Sequence, residues 1–257
     1  MSNNLELACG LIGIGRTWGF KPSPIPSDQA AATFLESAFS QGISYYDTAP
    51  SYGLSEARLG DWLRTLNQGQ RSNITIATKF GEHWRAEDQQ SYVDHTYDAL
   101  RSSLDQSLTR LGQIDVLQLH KTTPAVLLSD GLKRAWSYAR AQGITRFGAS
   151  VSDIESGEMV CGDDAYEVVQ LPFNQKNAAF LPIIRLALER GKTVVINRPF
   201  NMGELIDNDS QKSRAELERE AFRFIFDNCP RGLVLTGTKS PEHLEDNLRA
   251  FEAAQLT

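Results

Sequence analysis

Residues 100–119, LRSSLDQSLTRLGQIDVLQL, contain one structural unit that recurs along the chain. Its apolar residues first follow a helical spacing, at Leu100, Leu104, Leu108 and Leu111. This spacing predicts a helix with one apolar face packed on a sheet. Gly112 follows, where a left-handed residue readily ends a helix. The apolar run 114–119 then predicts a buried strand, so the unit is a helix followed by a strand.

The same alternation predicts eight strands and eight helices. The predicted strands are residues 9–14, 43–46, 74–78, 114–119, 145–149, 167–171, 193–196 and 232–235. The predicted helices are residues 28–40, 55–66, 91–111, 125–141, 154–160, 178–189, 212–226 and 241–254. Eight such pairs favour an α/β fold, a single (β/α)8 TIM barrel domain over residues 1–257. The alternative is an open Rossmann-type sheet, which seldom contains so many regular units.

Composition limits the classes of function. The formal net charge is −6 without basic runs, which disfavours nucleic-acid binding and still permits a local basic pocket for a small anion. We expect neither membrane insertion nor secretion, since the chain lacks a long apolar run and a signal-like start. The scattered Cys9, Cys161 and Cys229 offer neither a disulfide framework nor a zinc motif. They predict a reducing, cytoplasmic compartment.

Polar residues follow the predicted strands, at the end where barrel enzymes carry their active sites. Three consecutive strands end in Asp47, Lys79 and His120. Later strands are followed by, or contain, Ser150, Gln170, Asn197 and Arg198. A structural carboxylate–lysine pair is the alternative interpretation. Clustered ionisable groups lose hydration without a benefit to folding, so we favour a candidate active site.

Tyr52, in the loop after Asp47, is the candidate proton donor. A free tyrosine has a pKa near 10, and an ammonium within about 4 to 6 Å would lower that pKa. Lys79 would be this ammonium, held charged by Asp47, while His120 would polarise a substrate carbonyl through a ring N–H. The four residues therefore predict acid–base interconversion of a carbonyl and an alcohol.

Other chemistries lack their motifs. The four histidines lie in separate segments, so no metal site is expected, and GxSxG is absent. Redox chemistry then needs a hydride from a cofactor. A barrel isomerase or lyase for a phosphorylated sugar is a further alternative. It would want a glycine-rich loop after the seventh strand, where NRPFNMG (197–203) is a poor candidate.

The segment DTAPSYGLSEARLG (47–60) resembles the signature of the aldo-keto reductases. Later landmarks appear in family order, namely ATKFG, LQLH, GAS, VQLPFN and TGTKSPEHLEDNLRAF. The resemblance implies a barrel reductase that uses NADPH or, less often, NADH. It assigns Tyr52 as general acid, Lys79 and Asp47 as the groups that tune it, and His120 as the group that orders the carbonyl.

The resemblance also implies cofactor contacts. Ser150 and Gln170 match positions that hold the nicotinamide carboxamide. The adenosine half and a 2′-phosphate would meet Gly237, Thr238, Lys239, His243, Asp246 and Asn247. An anion at a helix N-terminus near a lysine agrees with this placement. Alternatively, Lys239 is a solvated surface lysine. After the seventh strand, the expected cofactor contacts are Asn197, Arg198, Pro199 and Phe200.

The opening segment GLIGIGRTWG (10–19) resembles only the first half of a dinucleotide-binding fingerprint. Its third glycine is missing, so it does not predict a Rossmann motif. As the first barrel strand and its loop, it places Gly15, Arg16, Thr17 and Trp18 beside cofactor or substrate. Because few residues follow the predicted eighth helix, we expect no C-terminal loop over the mouth. We therefore expect an open substrate mouth, lined by Trp18, His83, Trp84 and Phe173, although Trp84 alternatively caps the barrel as a packing residue.

Three positions depart from the family pattern. Val151 replaces a common Asn, Asn197 replaces an aromatic residue that stacks on nicotinamide, and His243 replaces an Arg that reaches the 2′-phosphate. The main prediction is a reversible NAD(P)H-dependent reductase of a small-molecule aldehyde or ketone, without nucleic-acid or membrane partners. Val151 and Asn197 motivate the alternative, a cofactor-binding regulatory or accessory protein with little turnover.

Overall fold

Eight parallel strands close into a barrel in the computed structural model, which describes residues 4–207 and 211–256. In chain order the strands are β1 (Leu5–Gly10), β2 (Tyr45–Asp47), β3 (Thr75–Phe80), β4 (Glu82–Arg85), β5 (Gln90–Val93), β6 (Val116–Leu119), β7 (Arg146–Ser150), β8 (Val168–Pro172), β9 (Thr193–Asn197) and β10 (Gly232–Thr236). Strands β4 and β5 form a separate antiparallel hairpin, and β10 closes the barrel against β1. The (β/α)8 prediction is confirmed.

Helices surround the barrel. They are α1 (Ile12–Gly15), α2 (Asp28–Ser40), α3 (Ser55–Leu63), α4 (Gln68–Arg71), α5 (Tyr97–Leu111), α6 (Pro124–Leu127), α7 (Asp130–Ala141), α8 (Ile154–Gly162), α9 (Leu181–Glu189), α10 (Glu204–Asp207), α11 (Arg214–Asn228) and α12 (Pro241–Gln255). Short 3-10 helices cover Pro50–Tyr52 and Asn201–Gly203. Within the described ranges, none of these helices combines the length and apolar character needed to cross a bilayer.

The helix and strand predicted within residues 100–119 are both present, as α5 and β6. Leu100, Leu104 and Leu111 of α5 are buried in the layer between helices and strands. Gly112 ends the helix with a φ of 77°, the left-handed conformation that glycine adopts without steric cost.

The barrel interior is a second, smaller apolar cluster. It consists of Ala8, Tyr45, Ala77, Val116, Val168, Val195 and Leu235. Side chains along a strand alternate between the two faces of a sheet, so residues two positions further on share the same interior. Asp47, Lys79, Gln118 and Gln170 stand two residues after four members of this cluster, at the carboxyl ends of their strands. The strand period therefore delivers four polar side chains to the top of the barrel.

Most predicted elements differ from the structure by one to three residues, and three differ by more. Strand β1 covers Leu5–Gly10 rather than 9–14, because it pairs with β10 from Leu5↔Gly232 onwards and the chain turns into α1 at Ile12. The predicted helix 91–111 begins only at Tyr97, since residues 90–93 pair with β4. The predicted helix 125–141 is divided into α6 and α7. The Ser129 hydroxyl accepts a hydrogen bond from the amide of Leu132 and so starts α7 as its N-cap.

Candidate active site

A buried ion pair lies at the top of the barrel interior. The Lys79 ammonium donates to Asp47 Oδ1 and to the carbonyl oxygen of Thr48, the latter at 2.9 Å. Both charged side chains are buried. Gln118 donates to the other carboxylate oxygen at 2.9 Å, and Gln170 donates to Oδ1 at 3.4 Å. Because three side chains donate to Asp47, its charge is compensated and its orientation is set.

Gln118 is a site residue that the sequence analysis missed. Its signal is a polar residue inside the apolar run 114–119, one position before the predicted end of the strand. The side chain is buried, and its amide reaches the Asp47 carboxylate across the interior.

Tyr52 and His120 lie above this ion pair. Tyr52 ends the short 3-10 helix that follows β2, and the Lys79 ammonium is 5.0 Å from the centre of its ring. The His120 ring meets the Tyr52 ring edge to face, with 6.1 Å between the ring centres. Asp47, Tyr52 and His120 all line one cavity. The four predicted catalytic residues therefore meet at one place.

The pKa of Tyr52 is raised, which contradicts the prediction that Lys79 would lower it below the free value. Burial raises this pKa more than the Lys79 ammonium lowers it, and the Asp47 carboxylate raises it further. For Lys79, burial lowers the pKa, because it disfavours the charged ammonium. The negative charge of Asp47 and the interaction with Tyr52 raise it by more, so the pKa of Lys79 is raised. At neutral pH the phenol is protonated and the lysine is charged, so Tyr52 is in the form that donates a proton.

His120 is a neutral imidazole. Its pKa lies well below the usual value, first because of burial and then because the charges of Lys79, Lys121 and Arg16 disfavour a further positive charge. The backbone of His120 is held at both ends. Its N–H donates to the carbonyl of Phe80 at 2.9 Å, and its carbonyl accepts from Nε2 of His95 at 2.8 Å. The ring is therefore held over the cavity as a neutral donor and acceptor.

Glu82 is a second residue that the sequence analysis missed. It begins the β4–β5 hairpin, is buried, and accepts hydrogen bonds from Ser51 at 2.9 Å and Ser91 at 3.0 Å. One carboxylate oxygen lies 3.2 Å from Nδ1 of His120, without hydrogen-bond alignment, and the other lies 3.4 Å from the Lys121 ammonium. No motif identifies Glu82 in the sequence. The hairpin that positions it was itself not predicted.

The cavity has a volume of about 550 Å³. Besides the catalytic residues, it is lined by thirteen residues that the sequence analysis proposed for cofactor or substrate, namely Arg16, Trp18, Ser150, Gln170, Asn197, Arg198, Pro199, Phe200, Gly237, Thr238, Lys239, His243 and Asn247. The loops after seven barrel strands contribute to this wall. Residues as far apart in the chain as Gly10 and Asn247 therefore face one space.

The positions predicted to contact nicotinamide present free acceptors. Oε1 of Gln170 and Oδ1 of Asn197 are buried and accept no hydrogen bond from the described residues. Both residues line the cavity, and an amide N–H2 would satisfy such oxygens. These orphaned acceptors fit a carboxamide. Val151 is buried at the same wall and supplies no side-chain hydrogen bond there.

Lys239 is partly buried at the cavity wall. Its ammonium donates to the carbonyls of Ser23, at 3.2 Å, and Pro24, and partial burial lowers its pKa. It stands just before α12, whose N-cap Ser240 accepts from the amide of His243 at 3.2 Å. The lysine therefore stands beside the start of this helix, and an anion site at this position stays a prediction.

Several proposed contacts lie away from the cavity wall. A Cβ atom on Gly15 would lie 1.9 Å from the Tyr52 carbonyl oxygen, so Gly15 permits close packing beneath the Tyr52 loop and contacts no cavity. Thr17 is exposed, and Asp246 forms an ion pair with Arg249 at 3.3 Å on the surface. These positions therefore stand apart from the space where a cofactor would bind.

Two residues expected at the substrate mouth serve as packing residues. His83 donates from Nε2 to the Asp94 carbonyl at 2.9 Å and stacks on Tyr92 in the hairpin. Phe173 is fully buried and stacks on Phe224, with 5.2 Å between the ring centres. Neither lines the cavity. Trp84 does not line it either, but it contacts the cavity residue Arg16 through its ring face at 5.3 Å.

No group of three or more His, Cys, Asp or Glu side chains converges as a metal site within residues 4–207 and 211–256.

Comparisons with known proteins agree with the geometry. A sequence model described as the Aldo/keto reductase family matches residues 6–220. L-galactose dehydrogenase of Arabidopsis thaliana is 37% identical over 122 residues, which are 46% of this chain and 36% of that protein. The NADP(+) aldo-keto reductase yakc of Schizosaccharomyces pombe is 25% identical over 237 residues, which are 88% of this chain and 68% of that protein. The matches thus span about a third and about two thirds of these relatives.

A solved structure of an aldo-keto reductase from Pseudomonas aeruginosa has the same fold. It superposes with a TM-score of 0.80 and 27% sequence identity, and the match covers 97% of this chain and 90% of that chain.

Proposed function

The chain belongs to the aldo/keto reductase family, and from that premise we propose that it reduces an aldehyde or ketone to the alcohol, reversibly, with hydride from NADPH or NADH. One observation carries the proposal. Tyr52 and His120 face the same cavity as the free amide acceptors of Gln170 and Asn197, with the Asp47–Lys79 pair beneath them. A proton donor, a carbonyl-orienting group and a carboxamide cradle therefore share one space.

The residues divide the proton chemistry between them. A bound nicotinamide supplies the hydride to the carbonyl carbon. Tyr52 donates its phenolic proton to the carbonyl oxygen, and the phenolate that forms lies beside the Lys79 ammonium. Asp47 keeps that ammonium charged, so the stabilisation is present before the reaction begins. In the reverse direction, the phenolate accepts the proton of the alcohol.

His120 orients the substrate oxygen. A neutral imidazole donates from one nitrogen and accepts at the other, so a single N–H is available to a carbonyl. The lowered pKa keeps His120 neutral at neutral pH, and it therefore does not compete with Tyr52 as the source of the proton.

We propose NADPH as the preferred cofactor. Arg214 and Lys239 line the cavity at its α11 and α12 side, where a 2′-phosphate would meet the Lys239 ammonium and a guanidinium that also donates to Glu218 at 2.7 Å. The Schizosaccharomyces pombe relative is named with NADP(+).

We also propose a reducing, cytoplasmic compartment, since Cys9, Cys161 and Cys229 are free and buried.

The test of the proposed function is a fluorescence titration with NADPH and NADH, followed by an aldehyde and ketone panel with the tighter cofactor. We expect cofactor binding and carbonyl-dependent loss of NADPH absorbance. Tight NADPH binding without turnover across the panel would instead favour the accessory-protein alternative. Carbonyl turnover that needs no nicotinamide nucleotide would contradict the hydride mechanism.

The reduction rate should be nearly independent of pH between about pH 6 and about pH 9. Reduction needs protonated Tyr52, and its raised pKa means that this form is lost only at a pH above the free tyrosine value. His120 stays neutral over the same range because its pKa is lowered. The measurement is kcat against pH at saturating cofactor and carbonyl. A fall in kcat with a midpoint near pH 7 would contradict both assignments.

A further inference from the structure

Arg16 is a cavity residue without a carboxylate partner. Its Nη1 donates to the carbonyl of Ser51 at 2.9 Å, directly before Tyr52 in the chain. Its guanidinium carbon lies 5.3 Å from the ring centres of both Trp18 and Trp84. Within the described part of the chain, no Asp or Glu forms an ion pair with it. Its positive charge is therefore available to the contents of the cavity.

The contacts of Arg16 hold it in place without using up its donors. A guanidinium carries five N–H donors in a planar fork, and the Ser51 carbonyl accepts from one nitrogen. Aromatic faces stabilise the cation and restrict its rotation. A planar guanidinium restrained in this way is suited to a planar carboxylate, which it binds through two parallel hydrogen bonds.

Arg16 lies on the catalytic side of the cavity. Two of its partners, Ser51 and Trp84, follow β2 and β3, the strands that precede Tyr52 and contain Lys79. The cofactor-side Lys239 instead follows β10 and is bound to the loop at Ser23. The charge of Arg16 is also felt at the His120 ring. Arg16 therefore stands close to the place where Tyr52 and His120 would hold a carbonyl oxygen.

A second cation reinforces this position. Lys121 follows His120, lines the cavity and adopts a left-handed φ of 54°. Among residues 4–207 and 211–256, Lys121 forms an ion pair with one carboxylate, that of Glu82 at 3.4 Å, which also accepts from Ser51 and Ser91. Besides the Asp47–Lys79 pair, this end of the cavity holds Arg16 and Lys121 near Glu82, and the guanidinium carbon of Arg198 lies 5.9 Å from the Trp18 ring centre, in a chain with a net charge of −6. Positive charge is concentrated where the substrate would bind.

We propose, on the basis of the proposed function, that the carbonyl substrate carries a carboxylate. Arg16 binds this carboxylate, and Lys121 adds a second positive charge. The interaction places the carbonyl carbon of the same molecule between Tyr52, His120 and the cofactor. The enzyme is accordingly selective for aldehyde or keto acids over neutral carbonyl compounds of the same shape.

The test compares 4-carboxybenzaldehyde with its neutral analogue, methyl 4-formylbenzoate, in the presence of NADPH. We expect kcat/KM to favour the acid by about tenfold or more, mainly through KM. Arg16→Gln should reduce the acid-to-ester ratio by about tenfold, whereas Arg16→Lys should retain part of the preference. Lys121→Gln should lower the ratio less, and it is the second variant if Arg16→Gln does not fold. Lys133→Gln, on the outer surface of α7, is the matched control and should keep the native ratio.

Three results would overturn the proposal. One is turnover with equal kcat/KM for acid and ester. Another is an Arg16→Gln variant that keeps the ratio and loses NADPH affinity, because Arg16 would then be a cofactor ligand. The third is faster reduction of glyceraldehyde 3-phosphate than of either acid or ester, which would assign the cations to a phosphate ester.

Failure of the proposed function has a different signature. If no carbonyl is reduced, the proposed function is wrong, and the carboxylate site is then judged by binding alone. The Kd measured by quenching of Trp18 and Trp84 fluorescence should still be lower for the acid than for the ester. This difference should disappear in Arg16→Gln. Equal quenching by both compounds would overturn the site as well.

Discussion

Tyr52→Phe is expected to lower kcat for carbonyl reduction by about 10²- to 10⁴-fold. The change removes the hydroxyl that donates the proton and leaves the ring in its place beside His120. The proposed cofactor contacts at Gln170 and Asn197 are untouched, so the Kd for NADPH should stay within about threefold. Steady-state kinetics and a fluorescence titration on the same preparation separate the two quantities.

Tyr46→Phe is the matched control for this experiment. Tyr46 stands one residue before Asp47, faces outward and packs on Trp62, with 5.4 Å between the ring centres. Its hydroxyl is buried and forms no hydrogen bond with the described residues. Removal of that hydroxyl should change kcat by about twofold at most. Equal losses in Tyr46→Phe and Tyr52→Phe would point to a general structural effect and contradict the role of Tyr52 as acid.

Lys79→Met is expected to affect both catalysis and folding. The phenolate that Tyr52 leaves behind would lose its neighbouring ammonium, so kcat should fall by at least about 10²-fold. The Asp47 carboxylate would remain buried with two amide donors and no cation, which should lower the free energy of unfolding by about 3–5 kcal/mol. Urea denaturation and steady-state kinetics measure the two effects.

The double variant Asp47→Asn/Lys79→Met separates these effects. Removal of the carboxylate also removes the unpaired buried charge, so the double variant should be more stable than Lys79→Met alone. Its kcat should stay low, because the ammonium beside Tyr52 is still missing. Recovery of activity together with stability would mean that Lys79 acts on folding alone. A double variant less stable than either single variant would contradict the ion-pair account.

The candidate catalytic residues could be predicted because they stand at strand ends. A period of two along each strand determines which residues face the barrel interior, and closure of the barrel brings the strand ends together. Asp47 and Lys79 follow this rule. Gln118, on the neighbouring strand β6, follows it too, and its amide donates to the Asp47 carboxylate. Tyr52 was proposed instead from the chemistry of a phenol in the loop after Asp47, since a loop residue has no such periodicity, and the family resemblance agrees with that assignment.

The hairpin β4–β5 could not be predicted in the same way. Its second strand is largely exposed on both faces, so residues 90–93 show no alternation of apolar and polar side chains. Its pairing with β4 depends on contacts made above the barrel, and Glu82 reaches His120 and Lys121 only because the hairpin stands there. His83 and Phe173 were misplaced for the same reason, since a loop residue that follows a strand can point into packing instead of the cavity.

By itself the sequence determined the number of barrel strands, the interior faces of those strands and the catalytic residue types at their ends, because these follow from local periodicity. Only the tertiary structure decided the direction of the Tyr52 pKa, the free acceptors at Gln170 and Asn197, and the unpaired charge of Arg16. Those properties depend on burial and on the sum of neighbouring charges. Both arise from loops that meet across the cavity from distant parts of the chain, and no local pattern encodes that sum.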